Sequence, residues 1–104
     1  MIAAVVVLYN PDKNIVENIN SYIDCVDKIY VIDNSNFSNA NLFQALPFDH
    51  KLEYIFNNGN LGIAKALNIG CEFAIQHGMK WVLTMDQDSK FLNLNAVIVN
   101  KFII

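Results

Sequence analysis

The sequence is sparing with the residues that break or staple a chain: 4 glycines, 2 prolines, 2 cysteines and 1 tryptophan in 104 residues. Scarce Gly and Pro, with 54% hydrophobic residues, exclude a collagenous or disordered chain and leave one compact domain. Charge is also thin. Lys+Arg 7 against Asp+Glu 10 gives a formal net charge of −3, with no basic stripe to displace counterions from a nucleic acid; a nucleotide could still bind locally. Cys25 and Cys71 are too few and too far apart for a disulfide or zinc argument, and each sits in a helical pattern as a small apolar residue. No run approaches the roughly 20 apolar residues needed to cross a bilayer. Met1 to Leu8 has no basic flank and leads into Tyr9-Asn10-Pro11 rather than a cleavage site, so it reads as a buried strand and not a secretory leader. Reduced thiols and a cytoplasmic setting are expected.

The elements follow from periodicity. Residues 2–8 are a continuous Val-rich run, the pattern of a parallel strand covered on both faces. Asn10 as a cap and Pro11 in the first turn open a helix over about 11–25, with Ile15, Ile19, Tyr22, Ile23 and Val26 at helical spacing. Residues 28–32 form a second strand ending at Asp33-Asn34-Ser35. Residues 37–49 suit either a short helical turn or a loop pinned by aromatics. A third strand over 51–56, alternating as one nearer the sheet edge would, gives way to Asn57-Asn58-Gly59-Asn60-Leu61-Gly62. A helix follows, with Ile63, Leu67, Cys71 and Ala74 on one face and a stop at Gly78. The fourth strand covers 81–85, and a further helix is expected from about 94. His50 and His77 are lone, His77 suiting a helix C-terminus, and Trp81 and the other aromatics are expected in the core. This β-α-β-(loop)-β-α-β order predicts a mainly parallel sheet.

The fourth strand runs into Asp86-Gln87-Asp88-Ser89. If strand geometry continues, both carboxylates share a face; if the chain bends, they can still converge on one cation. Hard oxygen ligands of this kind suit Mg²⁺ or Mn²⁺, completed by substrate phosphates and water. Alone, such a pair is more often a solvated turn. Here Tyr9-Asn10, Asp33-Asn34-Ser35 and Asp86-Gln87-Asp88-Ser89 follow the first, second and fourth strands, and in a parallel sheet those ends share one edge where ligands gather. The loop and helix start at 57–68 would border it. There is neither a Lys-Ser/Thr phosphate-gripping loop nor Gly-x-Gly-x-x-Gly after the first strand, which sets aside a P-loop or dinucleotide site.

Val5 to Asn10, Val31 to Ser35, Asn57 to Gly70 and Met85 to Ser89 together resemble the N-terminal half of a GT-A glycosyltransferase of family 2, in its bacterial rhamnosyltransferase-like branch. The resemblance covers nearly all of residues 1–104 and implies a partial GT-A, Rossmann-like three-layer α/β sandwich, truncated after the Asp-x-Asp strand. It implies a nucleotide-sugar-binding half-domain of the inverting type, serving bacterial surface polysaccharide synthesis. By position, Tyr9 and Asn10 match the segment lining the nucleotide pocket, and Asp33 the acid that hydrogen-bonds the pyrimidine of a UDP- or dTDP-sugar. Asn60, Gly62, Ala64 and Asn68 match the loop and helix beside it. Asp86 is implied near ribose or metal, and Asp88 as the direct ligand of the Mn²⁺ or Mg²⁺ on the diphosphate.

The chain also departs from the family. Leu67 stands where many relatives carry Arg, with Lys65 as the compensating cation, and no counterpart of the usual catalytic base precedes Ile104. The expectation is an N-terminal fragment that binds nucleotide but transfers sugar poorly or not at all, its glycan or lipid-linked acceptor site missing. A sheet edge and the apolar C-terminal segment would then be uncovered, predicting self-association. The resemblance implies action at the inner membrane face. Two rival readings are a haloacid-dehalogenase-type phosphatase, whose first Asp is a nucleophile, and a non-catalytic nucleotide-binding module.

Overall fold

In a computed structural model of the chain, the structure describes residues 1–44 and 49–89. The order is β1 (Ile2–Leu8), α1 (Asn14–Asn20), β2 (Lys28–Asp33), β3 (Leu52–Phe56), α2 (Ile63–Gln76) and β4 (Trp81–Asp86). Short 3₁₀ turns at Ile23–Cys25, Ala40–Phe43 and Asp49–Lys51 join them. The four strands form one sheet in the order β3-β2-β1-β4, and every pairing is parallel. The helix expected from about residue 94 lies outside the described residues.

Strand alternation divides the core into two layers. Ala4, Val6 and Leu8 of β1, with Ile29 and Val31 of β2, meet Ile15 and Ile19 of α1 on one face. Ala3 and Val5, with Tyr30 and Ile32, meet Ala66 and Ala74 of α2 on the other. β1 and β2 are buried on both faces, which is why they read as near-continuous apolar runs. β3 is half-buried throughout and lies at the sheet edge, as its alternation predicts.

Several local expectations need correction. α1 is shorter than the 11–25 span and starts later, because Asn10 adopts a left-handed φ of 45° and does not cap it. Asp12 does the work near that end, its Oδ1 accepting the Asn14 N–H at 2.8 Å. The 37–49 stretch contains a 3₁₀ turn at Ala40–Phe43, whose Phe43 buries into the α1-side layer, and a second such turn begins at Asp49.

α2 buries the stripe Ala66, Gly70 and Ala74; Ile63 is exposed, and Leu67 and Cys71 are only half-buried. The large residues mark the flanks of the buried face, because the helix packs too closely on β1 for a side chain at residue 70. The Gly78 stop holds. Gly78 has φ 78°, and the N–H groups of Gly78 and Met79 donate to Ile75 O and Ala74 O, a Schellman ending. His77 lies at this helix end, its Nδ1 hydrogen-bonded to the Tyr30 hydroxyl at 2.7 Å. Not every aromatic joins the core: Trp81 is 44% and Phe37 84% exposed.

Candidate functional site

The carboxyl ends of β1, β2 and β4 lie along one edge, with Leu8 in register with Asp33 and Val7 with Asp86. A crevice of ≈ 560 Å³ opens there. Val7 and Tyr9 line it from the β1 side, Asn34 from β2, and Asn60, Gly62 and Ile63 from the loop and first turn of α2. Asp86, Gln87, Asp88 and Ser89 complete it. Each of the three polar clusters that follow strands in the sequence therefore sends at least one residue into one concavity.

The wall formed by residues 86–89 is a turn, not a continued strand. The Ser89 N–H donates to Asp86 O at 3.0 Å, making Asp86 and Asp88 its first and third residues. Both are exposed, and neither carboxylate is hydrogen-bonded or ion-paired to a described residue. Between them, Gln87 faces inward. Its Oε1 accepts the Tyr9 N–H at 2.9 Å, and its Nε2 donates to Tyr9 O at 3.2 Å. Its own carbonyl accepts Asn18 Nδ2 of α1 at 2.8 Å.

The opposite wall is built on Asn34, 2% exposed. Asn34 Nδ2 donates to Gly62 O at 3.2 Å, and Asn34 Oδ1 accepts Asn57 Nδ2 at 2.7 Å. Asn60 Oδ1 accepts the Gly62 N–H at 2.9 Å, helping to hold the extended, positive-φ residue from which α2 starts (φ 86°, ψ 155°). Gly tolerates that conformation; an L side chain is strained in it. No side chain caps α2, so the start of a 14-residue helix, whose first N–H groups lack intrahelical partners, stands at the crevice.

Asp33 is placed differently from the other candidates. It shares the parity of Ile29 and Val31, so it points to the α1-side layer, and it is fully buried. Its Oδ1 accepts the Ser35 N–H at 3.0 Å. Its Oδ2 accepts the Asn39 N–H at 3.2 Å, Asn39 Nδ2 at 3.0 Å and the Tyr54 hydroxyl. Burial pushes this carboxyl up, but the bonds from Tyr54, Ser35 and Asn39 outweigh it and hold it below the ordinary range. Tyr54 moves the other way, raised by burial and by its bond to Asp33.

Of the sequence candidates, Tyr9, Asn60, Gly62, Asp86 and Asp88 come together in the crevice. Asn10, Asp33 and Lys65 are not among its described lining residues. Asn10 is exposed and ties its N–H to Ser35 Oγ at 2.7 Å, linking the β1 and β2 loops; Lys65 is exposed on α2. Sequence reasoning passed over Gln87, Asn18, Asn39 and Tyr54 as supports. Asn18 alone carried a signal, a polar residue within the apolar stripe of α1.

Two open carboxylates in a crevice with neutral oxygen groups fit Mg²⁺ or Mn²⁺, provided phosphate and water fill the remaining positions. Among the described residues there is no cluster of three or more His, Cys, Asp or Glu that could hold an ion without such help. All seven basic residues of the chain are lysines, and none lines the described crevice.

Parallel strands with helices on both faces and a polar crevice at their carboxyl edge define a partial GT-A, Rossmann-like α/β fold. The family described as "Glycosyl transferase family 2" matches residues 3–93, and the chain belongs to it. It is 35% identical over 94 residues to the dTDP-rhamnosyl transferase RfbF of Shigella flexneri, covering 88% of this chain and 31% of that protein. Its fold is similar to the crystal structure of TarS 1-349 from S. aureus, with a TM-score of 0.70, 22% identity, and coverage of 94% of this chain and 30% of that one. The chain thus spans about a third of the length of the relatives it matches. Family membership and the position of the Asp-x-Asp turn after the fourth strand, at an edge of the described sheet, leave the phosphatase alternative without support.

Proposed function

We propose that this chain binds the nucleoside diphosphate of a UDP- or dTDP-sugar donor for an inverting, cation-dependent glycosyl transfer. The observation that carries this reading is one of charge. Two carboxylates with no ion pair to a described residue face the crevice and no basic side chain is among its described lining, so a diphosphate needs a divalent cation beside Asp86 and Asp88. When bound, Mn²⁺ or Mg²⁺ would neutralise the charge that grows on the diphosphate as the sugar–phosphate bond breaks.

The chain's own groups divide the rest. The open N–H groups at the start of α2 orient phosphate oxygens. Tyr9, half-exposed at the rim, offers its ring to the base or sugar, while Asn34 and Asn60 hold the loop from which α2 begins. Asp33 acts from behind this wall by shaping the loop after β2.

Similarity to a dTDP-rhamnosyl transferase favours dTDP-rhamnose as donor. We further propose a glycan or lipid-linked acceptor at the cytoplasmic face of the inner membrane. Asp86 and Asp88 are engaged with the cation in this reading, so another group must deprotonate the acceptor. Residues 1–104 alone would bind donor with little turnover.

Calorimetric titration of UDP and dTDP, with and without Mn²⁺, tests the reading. Binding that requires Mn²⁺ and disappears in Asp88→Ala is expected. A folded chain that binds neither nucleotide in Mn²⁺ would overturn it.

A further inference from the structure

The residue between the two carboxylates carries more than spacing. Gln87 lies one position beyond β4, and Tyr9 one position beyond β1. The side-chain amide of Gln87 offers an acceptor to the Tyr9 N–H and a donor to the Tyr9 carbonyl. It thereby satisfies both backbone groups of a residue that has left the ladder, as a neighbouring peptide group would. The Gln87 carbonyl is held from the other side by the buried Asn18. The turn is therefore fastened to α1 by its backbone and to the β1 loop by a side chain, leaving Asp86 and Asp88 free to face the crevice.

We infer that Gln87 is a positioning residue for donor binding: its amide fixes how the Asp86–Asp88 turn stands relative to Tyr9, and so the distance between the cation end and the opposite rim of the site. The inference rests on the proposed donor-binding function. Both hydrogen-bonding groups and the full length of glutamine are needed. Methionine keeps the length and loses both bonds, while asparagine keeps the chemistry but is one methylene short.

The test uses the full chain and its Gln87→Met and Gln87→Asn variants. Three quantities are read: hydrogen exchange at the Tyr9 amide, binding of Mn²⁺ alone by paramagnetic broadening, and dTDP affinity in Mn²⁺ by calorimetry. Losing two neutral hydrogen bonds predicts dTDP binding weaker by about tenfold in both variants, with faster Tyr9 exchange. Binding of Mn²⁺ alone should stay within about twofold, since the carboxylates are untouched. Unchanged dTDP affinity in either folded variant overturns the inference, and so does an equal loss of Mn²⁺ and dTDP binding, which would make Gln87 part of the cation site only. Failure of the unaltered, folded chain to bind dTDP overturns the proposed function itself and leaves Gln87 nothing to position; that result is distinguishable because it needs no variant.

Discussion

Gly70 of α2 lies directly over Val5 of β1: a Cβ built on residue 70 would stand 2.4 Å from Val5 Cγ1. Val5 is fully buried in the central part of the sheet, and a β-branched side chain there cannot swing aside. The closeness of this crossing lets α2 lie low on the sheet and bring its first turn to the crevice. Gly70→Ala should raise intrinsic helix propensity by about 1 kcal/mol and nevertheless destabilise the chain, because overpacking costs about 1–3 kcal/mol. Thermal unfolding checks the sign: a variant that melts higher than the unaltered chain would contradict the packing.

Asp33 makes a pH prediction. Its folded-state pKa is depressed, burial being outweighed by the Tyr54, Ser35 and Asn39 bonds, so the ionised form is preferred in the folded chain. The stability it contributes is full above the unfolded value of about 3.9 and is lost as pH falls through the lower folded value. Asp33→Asn should cost about 1–3 kcal/mol at neutral pH by leaving buried donors poorly matched. The gap between variant and unaltered chain should narrow as the pH is lowered below about 4, in denaturant titrations at several pH values. A gap that widens with acid would show that Asp33 is not bonded as its carboxylate.

The exposed carboxylates should contribute little to stability. Asp86→Ala with Asp88→Ala removes no hydrogen bond or ion pair to a described residue, so stability without ligand should change by no more than about 0.5 kcal/mol. Mn²⁺ with dTDP should raise the melting temperature of the unaltered chain by linkage and leave the double variant where it was. Differential scanning fluorimetry reads both effects in one series.

Asn34 is predicted to hold the 57–62 loop. Asn34→Ala removes its bonds to Gly62 O and Asn57 Nδ2, at a cost of about 1–3 kcal/mol for buried polar groups left unmatched. Backbone amides across residues 57–62 should exchange faster while those of β1 and β2 keep their protection. Uniform acceleration throughout the sheet would instead place Asn34 in the global core.

Much of this molecule is legible in one dimension. Alternation and run length place β1, β2, β3 and β4 to within a residue or two, because the apolar pattern that marks a strand is carried by consecutive residues. The parallel order follows from strands interleaved with helical segments, and with it the convergence of Tyr9, Asn60, Gly62, Asp86 and Asp88 at one edge. α2 shows where such reasoning stops. The spacing of Ile63, Leu67, Cys71 and Ala74 suggests the buried face, yet of these only Ala74 is buried, beside Ala66 and Gly70, since how closely a helix approaches a sheet is set by the strand beneath it.

The class of fold, the edge where the polar loops gather and the acidic turn that marks it are all legible in the chain alone. Each is a matter of local periodicity and chain order. Packing of distant segments, by contrast, turns Asp33 away into a closed network with Tyr54 and Asn39 while Asp86 and Asp88 stay open. It also lets Gln87 join β4 to β1 through Tyr9, a pair separated by 78 positions. Hydrogen-bond partners and burial depend on what the fold brings alongside a residue, and for these side chains that neighbour is distant in the chain.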